Sequence, residues 1–262
     1  MVTQTITPEK TDTHIPVESD AGYRERMWME QSEVMGDAVK TVTEFLCSAQ
    51  NTSETLRQEA VDYIKAKARL AAEYVYKIKW NPGDIEAGEV EAEAVGAEIG
   101  IKSEVCVSVA LQRAGYKIVG RTAEEDLHSG VDLYAIPPGH EEMGQILVIQ
   151  IKAIARLENV VVEDVANHRI SGELPEIDQK RVEDIDRSVR AMSRYLASKT
   201  DGPSNVHPEF DQDHLAVPLV FYIPSGKYPA YKGTGEPREY FAPQLQEAIR
   251  KATFKPKKSR SG

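Results

Sequence analysis

Apolar residues recur every three or four positions through two long stretches near the start of the chain, the spacing of helices that bury one face. The first predicts a helix over residues 23–49. The second predicts a helix that runs to Trp80, where Asn81-Pro82-Gly83 breaks it. Two residues compete as its N-cap. Thr55 has Gln58 three positions on, the spelling of a capping box; Ser53 has Leu56 there, which cannot complete one. Together the two stretches predict a helical hairpin over residues 23–83, suited to packing or dimerisation rather than to chemistry. Residues 84–114 are rich in Ala, Glu and Val, and their latter part reads as a helix with Gly115 at C′.

Beyond Gly115 the pattern shortens to that of strands. A strand is predicted over residues 116–119, a polar loop over 122–130 and a strand over 131–136. Pro137-Pro138-Gly139 then turns the chain into a strand over 146–153, so these last two strands read as a hairpin. Residues 155–175 are ambiguous, with 157–165 a candidate strand. A helix over 176–198 places Ile185, Val189, Met192 and Leu196 on one face. A buried-type strand over 217–223, a Pro/Gly/Tyr loop over 224–243 and a short helix over 244–252 follow. The central order is helix, three strands, helix, strand, which predicts a mixed α/β core. The predicted organisation is a flexible arm (1–22), the helical hairpin (23–83), an α/β domain (84–252) and a basic tail (253–262). No internal repeat is visible.

Composition narrows the function classes. With 262 residues, 41% hydrophobic and 28% charged, the chain can bury a sizeable core. Its two cysteines, Cys47 and Cys106, are far apart and spell neither a disulfide framework nor a zinc site; each reads as a small buried apolar residue. Residues 1–22 hold no apolar signal region, and no apolar run approaches a membrane span, so a cytoplasmic protein is expected. A net charge of −10 argues against a protein that coats nucleic acid passively. It leaves room for an enzyme with a local basic path and a metal.

The candidate chemistry lies in two strands. Asp132 opens a strand that is otherwise apolar. Gln150 and Lys152 stand two apart in another, and so project from one face. An amide and an ammonium in such a strand are costly unless both have partners. Pairing of the two strands brings Asp132 near Gln150 and Lys152. A carboxylate, an amide oxygen and the Ile151 carbonyl would then surround one spot, a set of oxygens suited to Mg²⁺. Lys152 would orient or deprotonate a water, or offset charge on a phosphorane-like transition state.

Glu104, then Leu111-Gln112-Arg113-Ala114-Gly115-Tyr116, then Ser129-Gly130-Val131-Asp132, then Gln150-Ile151-Lys152, together resemble the PD-(D/E)XK, restriction-endonuclease-like superfamily. The likeness is greatest to its Mrr-type branch, which carries Gln-x-Lys in place of acid-x-Lys. It covers roughly 50 residues, and the αβββαβ order agrees with that fold. The resemblance implies that Asp132 is the main metal ligand, that Gln150 and the Ile151 carbonyl complete the shell, that Lys152 is the catalytic lysine and Glu104 an accessory acid. It also implies Mg²⁺ or Mn²⁺ as cofactor and DNA as partner, in restriction, repair or mobile-element processing; cutting both strands of a duplex would call for a homodimer.

Other features have plainer readings beside functional ones. Asp126 and His128 precede Asp132, and a surface loop histidine is the plainer reading of the second. Lys180, Arg187, Arg190 and Arg194 lie opposite the apolar stripe of their helix, but Glu183 and Asp186 pair with two of them at i,i+4. The loop carrying Lys227, Tyr228, Tyr231, Lys232 and Arg238 interleaves aromatics and cations, as a nucleic-acid clamp does. Lys255, Lys257, Lys258 and Arg260 in the tail add positive charge. Two rival functions stand beside a DNA endonuclease: a non-catalytic interaction or regulatory protein on the same fold, and an RNA nuclease.

Overall fold

The structure, a computed structural model, describes residues 20–48, 53–79, 87–123, 125–126, 130–139, 145–175, 190 and 215–253. Helix α1 spans Asp20–Ser48, α2 spans Glu54–Lys79 and α3 spans Ala87–Arg113. The three share one core of Ala38, Val42 and Leu46, Ile64 and Ala68, and Ile101, Val105 and Val109. Each helix contributes residues four apart, the row that interdigitates when helices pack. Ala38 of α1 and Ala68 of α2 are the small members of these rows and leave room for close packing.

The start of α2 decides between the two candidate caps. Ser53 is the N-cap: its Oγ accepts from the Leu56 amide (3.3 Å) and its carbonyl from the Arg57 amide (3.1 Å). The capping-box spelling at Thr55 and Gln58 is not used, and Gln58 Nε2 donates to Asp62 Oδ1 instead (3.0 Å). Helix α3 also starts earlier than the pattern suggested. It ends as expected, with Gly115 left-handed (φ 88°) and the Tyr116 amide donating to the Leu111 carbonyl (3.0 Å).

Six strands form one mixed sheet: β1 (Lys117–Gly120), β2 (Leu133–Ile136), β3 (Gln145–Ile154), β4 (Val161–Asp164), β5 (Arg169–Ile170) and β6 (Leu215–Pro224), in the order β1-β2-β3-β6-β4-β5. The predicted β2–β3 hairpin is antiparallel, with Leu133 opposite Ile149 and Tyr134 opposite Val148. β3 and β6 run parallel over ten residues, Gln145 opposite Leu215 through Ile154 opposite Pro224. The ambiguous stretch yields β4, which pairs antiparallel with β6, and β5 beside it. The final helix, α4 (Phe241–Thr253), starts three residues before its predicted beginning. The predicted helix over 176–198 lies outside the described residues apart from Arg190, as do the arm up to residue 19 and the tail from 254.

Both faces of the central strands are buried, which explains why β3 reads as a nearly continuous apolar run. Leu147, Ile149 and Ile151 pack with Cys106, Val107, Ala110 and Leu111 of α3 and with Phe241, Leu245 and Ile249 of α4. Ile146 and Val148 face the other way, among Tyr134, Ile136, Val220 and Tyr222. Each such side chain contributes about 1.5–3 kcal/mol when fully buried. Helix α3 belongs to both layers: Val105 and Val109 point into the helical bundle, Cys106 and Ala110 into the sheet. Of the two thiols, Cys106 is buried as expected, whereas Cys47 is exposed, because it lies off the inward row of α1 formed by Val42 and Leu46. Among the described residues no helix is long and apolar enough to cross a membrane.

Candidate active site

The site arises where β3 outlasts its neighbour. β2 begins only at Leu133, two residues later than the sequence pattern predicts, so Asp132 lies just before the ladder. Its amide still donates to the Ile149 carbonyl (2.9 Å). Beyond Ile149, β3 has no strand partner on that side among the described residues, and the Ile151 amide is met by a side chain: it donates to Asp132 Oδ2 at 2.5 Å. An extended residue points its N–H and C=O to the same side. The Ile151 carbonyl therefore faces the side occupied by Asp132.

Gln150, 1% exposed, projects from the opposite face to Ile149 and Ile151, as strand alternation requires. Its Nε2 donates to the Gly130 carbonyl (2.9 Å). A carbonyl needs a donor, so the amide is oriented with its oxygen away from Gly130. That Oε1 atom is buried, and among the described residues no donor reaches it. Gly130 is left-handed (φ 66°), and a Cβ there would lie 2.7 Å from Gln150 Nε2; glycine is what lets loop and amide come together. Lys152, half-buried two residues on, acts electrostatically on Asp132 and favours its charged form.

On the other side of Asp132 the structure places a residue that the sequence pattern did not single out. Arg121, directly after β1, has a side chain only 6% exposed. Its guanidinium donates to Glu104 Oε2 (2.8 Å), to Asp126 Oδ2 (3.2 Å) and to the Asp132 carbonyl (3.0 Å). Glu104, in the middle of α3, is thereby brought to the site although it lies 28 positions from Asp132 in sequence. A lone arginine in a polar loop carries no sequence signal of such a role. Only its position, one residue past a short strand, hints that it can fold back over the sheet.

Three acids around one arginine set unusual proton affinities. Burial raises the pKa of Glu104, and Asp132 and Asp126 raise it further; Arg121 opposes them, and the result is about 8. Asp132 is raised as well, by burial first, against the pull of Arg121, Lys152 and the Ile151 amide. Burial disfavours the charged form of Arg121, but Glu104, Asp126 and Asp132 more than offset it and hold the guanidinium protonated. A cleft of about 410 Å³ opens over this cluster. Trp28, Gln31, Ser32 and Met35 of α1 form one wall, and Glu104, Arg121, Asp126 and Asp132 the other.

The resemblance implies a divalent cation, and the donor set bears on whether the residues suit one. Asp132 supplies a carboxylate, Ile151 a carbonyl on the same side, and Gln150 a buried amide oxygen that no donor reaches among the described residues. These are hard oxygen donors of the kind Mg²⁺ takes together with several waters, so the residues fit. With one carboxylate in place of two, the set is less negative than an acid-x-Lys site. Among the described residues no cluster of three or more Asp, Glu, His or Cys side chains forms a ready-made metal cage.

The aromatic and cationic loop is not part of this cluster. Tyr231 is 6% exposed and belongs to the sheet–helix core. Lys232 pairs with Glu236 (3.2 Å), which also binds Arg57 (3.0 Å) and Arg113 (3.2 Å). Arg238 Nε donates to the Pro229 carbonyl (2.9 Å). These residues fasten the loop to α2 and α3. Tyr228, 72% exposed, with Lys227 5.4 Å above its ring, is what the loop presents outward. His128, Ser129, Lys180, Arg187 and Arg194 lie outside the described residues. Compared with known proteins, the chain matches no protein family, no curated protein and no solved structure.

Proposed function

We propose that this chain is a metal-dependent phosphodiesterase that hydrolyses DNA, built on a restriction-endonuclease-like core. The observation that carries the reading is the Asp132 carboxylate held on the Ile151 amide where β3 runs past β2, within electrostatic reach of Lys152, with the buried Gln150 Oε1 of the same strand reached by no donor among the described residues. A buried amide oxygen calls for a donor or a cation, and a metal ion is one partner that would satisfy it. Asp132, the Ile151 carbonyl and Gln150 Oε1 would hold Mg²⁺ or Mn²⁺, which supplies charge stabilisation at the phosphate and a more acidic water. Lys152 offsets charge that develops on the phosphate oxygens. Arg121 fixes Glu104 and the Asp132 backbone, so the carboxylate needs little rearrangement on binding.

One observation favours a second reading, a non-catalytic protein on the same fold. Arg121 already neutralises part of the acid cluster, as a purely structural ion-pair network would. Manganese binding separates the two. Titration of the protein with Mn²⁺, followed by the electron paramagnetic resonance signal of the free ion, is expected to show a bound ion in wild type and its loss in Asp132→Ala. A structural network predicts no bound Mn²⁺ in either.

A further inference from the structure

Helix α1 carries one buried row and one part-buried stripe. Ala38, Val42 and Leu46 serve the helical bundle. Trp28, Gln31, Ser32 and Met35, at spacings of three, one and three, form a second stripe that faces the acid cluster across the cleft, with Met35 also packed against the bundle core. Met35 leans on α3 at Gly100, where its Cε lies 3.4 Å from the point a Cβ would occupy, one turn before Glu104. Gln31 Nε2 donates to Met35 Sδ (3.3 Å), which steadies both side chains.

This stripe is oddly made for plain packing: an indole, an amide, a hydroxyl and a thioether, opposite three carboxylates and an arginine. A flat aromatic face beside an amide and a hydroxyl matches a nucleobase, which has a π-face to stack and donor and acceptor edges to read. The cleft, about 410 Å³, falls within the range of small-ligand pockets. A helix that reads a duplex groove presents its side chains outward; here the stripe points inward, and α1 stands over Asp132 as a wall.

We propose that α1 is the base-recognition wall of the site, and that the substrate is DNA with an unpaired nucleotide at the scissile phosphate, its base stacked on Trp28. The inference rests on the phosphodiesterase reading and adds the substrate class. Gln31 and Ser32 are placed to meet the base edge, while Asp132 and Lys152 attend to the phosphate. A paired base cannot reach the cleft without leaving its stack.

The test is a cycle of Mg²⁺-dependent cleavage rates for the full chain and its Trp28→Ala and Trp28→Phe variants. Each is given one labelled DNA sequence in three forms: single strand, perfect duplex, and single strand with one abasic sugar scanned across positions. Wild type is expected to cut the single strand on the order of ten- to a hundredfold faster than the duplex, and to lose a similar factor at one abasic position. Trp28→Ala should show that loss on the intact strand and no further loss on the abasic one, and Trp28→Phe should recover most of the rate. The proposal is overturned if the duplex is cut as fast as the single strand, or if Trp28→Ala slows intact and abasic strands equally. In either case cleavage itself survives, and so does the phosphodiesterase reading. If no form is cut, that reading and this inference fail together.

Discussion

Glu104 shows how much a single buried side chain can depend on its neighbours. Its ordinary pKa is 4.5, and in the folded chain it rises to about 8 because burial and two nearby acids outweigh Arg121. Between those values the folded chain holds a proton that the unfolded chain has released, so stability falls as pH rises across that window. Below 4.5 both states are protonated and the contribution is complete; above 8 it is gone. Glu104→Gln keeps the shape and removes the titration. Urea midpoints measured from pH 5 to about 8.5 should decline more steeply for wild type than for Glu104→Gln, and parallel profiles would contradict the assignment. At this scale the sequence was legible only where pattern and chemistry conflict: Asp132, Gln150 and Lys152 are polar intrusions in apolar strands. Arg121 sits in a loop where an arginine is unremarkable, so its burial among three acids could not be read in advance.

Among the elements, local signals were read well where the backbone decides and less well where two local solutions compete. Gly115 ends α3 because the chain needs a left-handed residue there. The start of α2 offered two caps, and the fuller spelling lost. Ser53 caps the helix through the Leu56 and Arg57 amides, and Thr55 is already inside its first turn. Ser53→Ala should therefore cost about 1 kcal/mol of stability, while Thr55→Ala changes it by about 0.5 kcal/mol or less. Equal losses in denaturant unfolding would contradict this capping. β2 is shorter than its apolar pattern: at Asp132 the main chain keeps one bond to Ile149, and the Ile151 amide beyond it is met by the Asp132 side chain rather than by a strand. The strand boundary and the position of the carboxylate therefore meet at one residue, Asp132.

The molecule as a whole couples a helical bundle to a mixed sheet through α3, which places Val105 in one core and Cys106 in the other. That arrangement was only half legible. Periodicity identifies the helices and strands, but not that α1 would stand across from Asp132, since contacts so distant in sequence leave no local trace. The second stripe on α1, from Trp28 to Met35, was visible in principle as polar and aromatic residues at helical spacing. A net charge of −10 fits an enzyme that draws its phosphate affinity from a bound cation and a few placed cations rather than from a basic surface. In the proposed function, Asp132 and Lys152 make one phosphodiesterase centre. Its most direct test is cleavage of circular single-stranded and supercoiled double-stranded DNA in Mg²⁺ or Mn²⁺, by wild type beside Asp132→Ala and Lys152→Ala, each first shown to be folded. Cleavage by wild type is expected, with a loss on the order of a hundredfold or more in each variant. Cleavage retained by both variants, or three equally inert proteins, would contradict it.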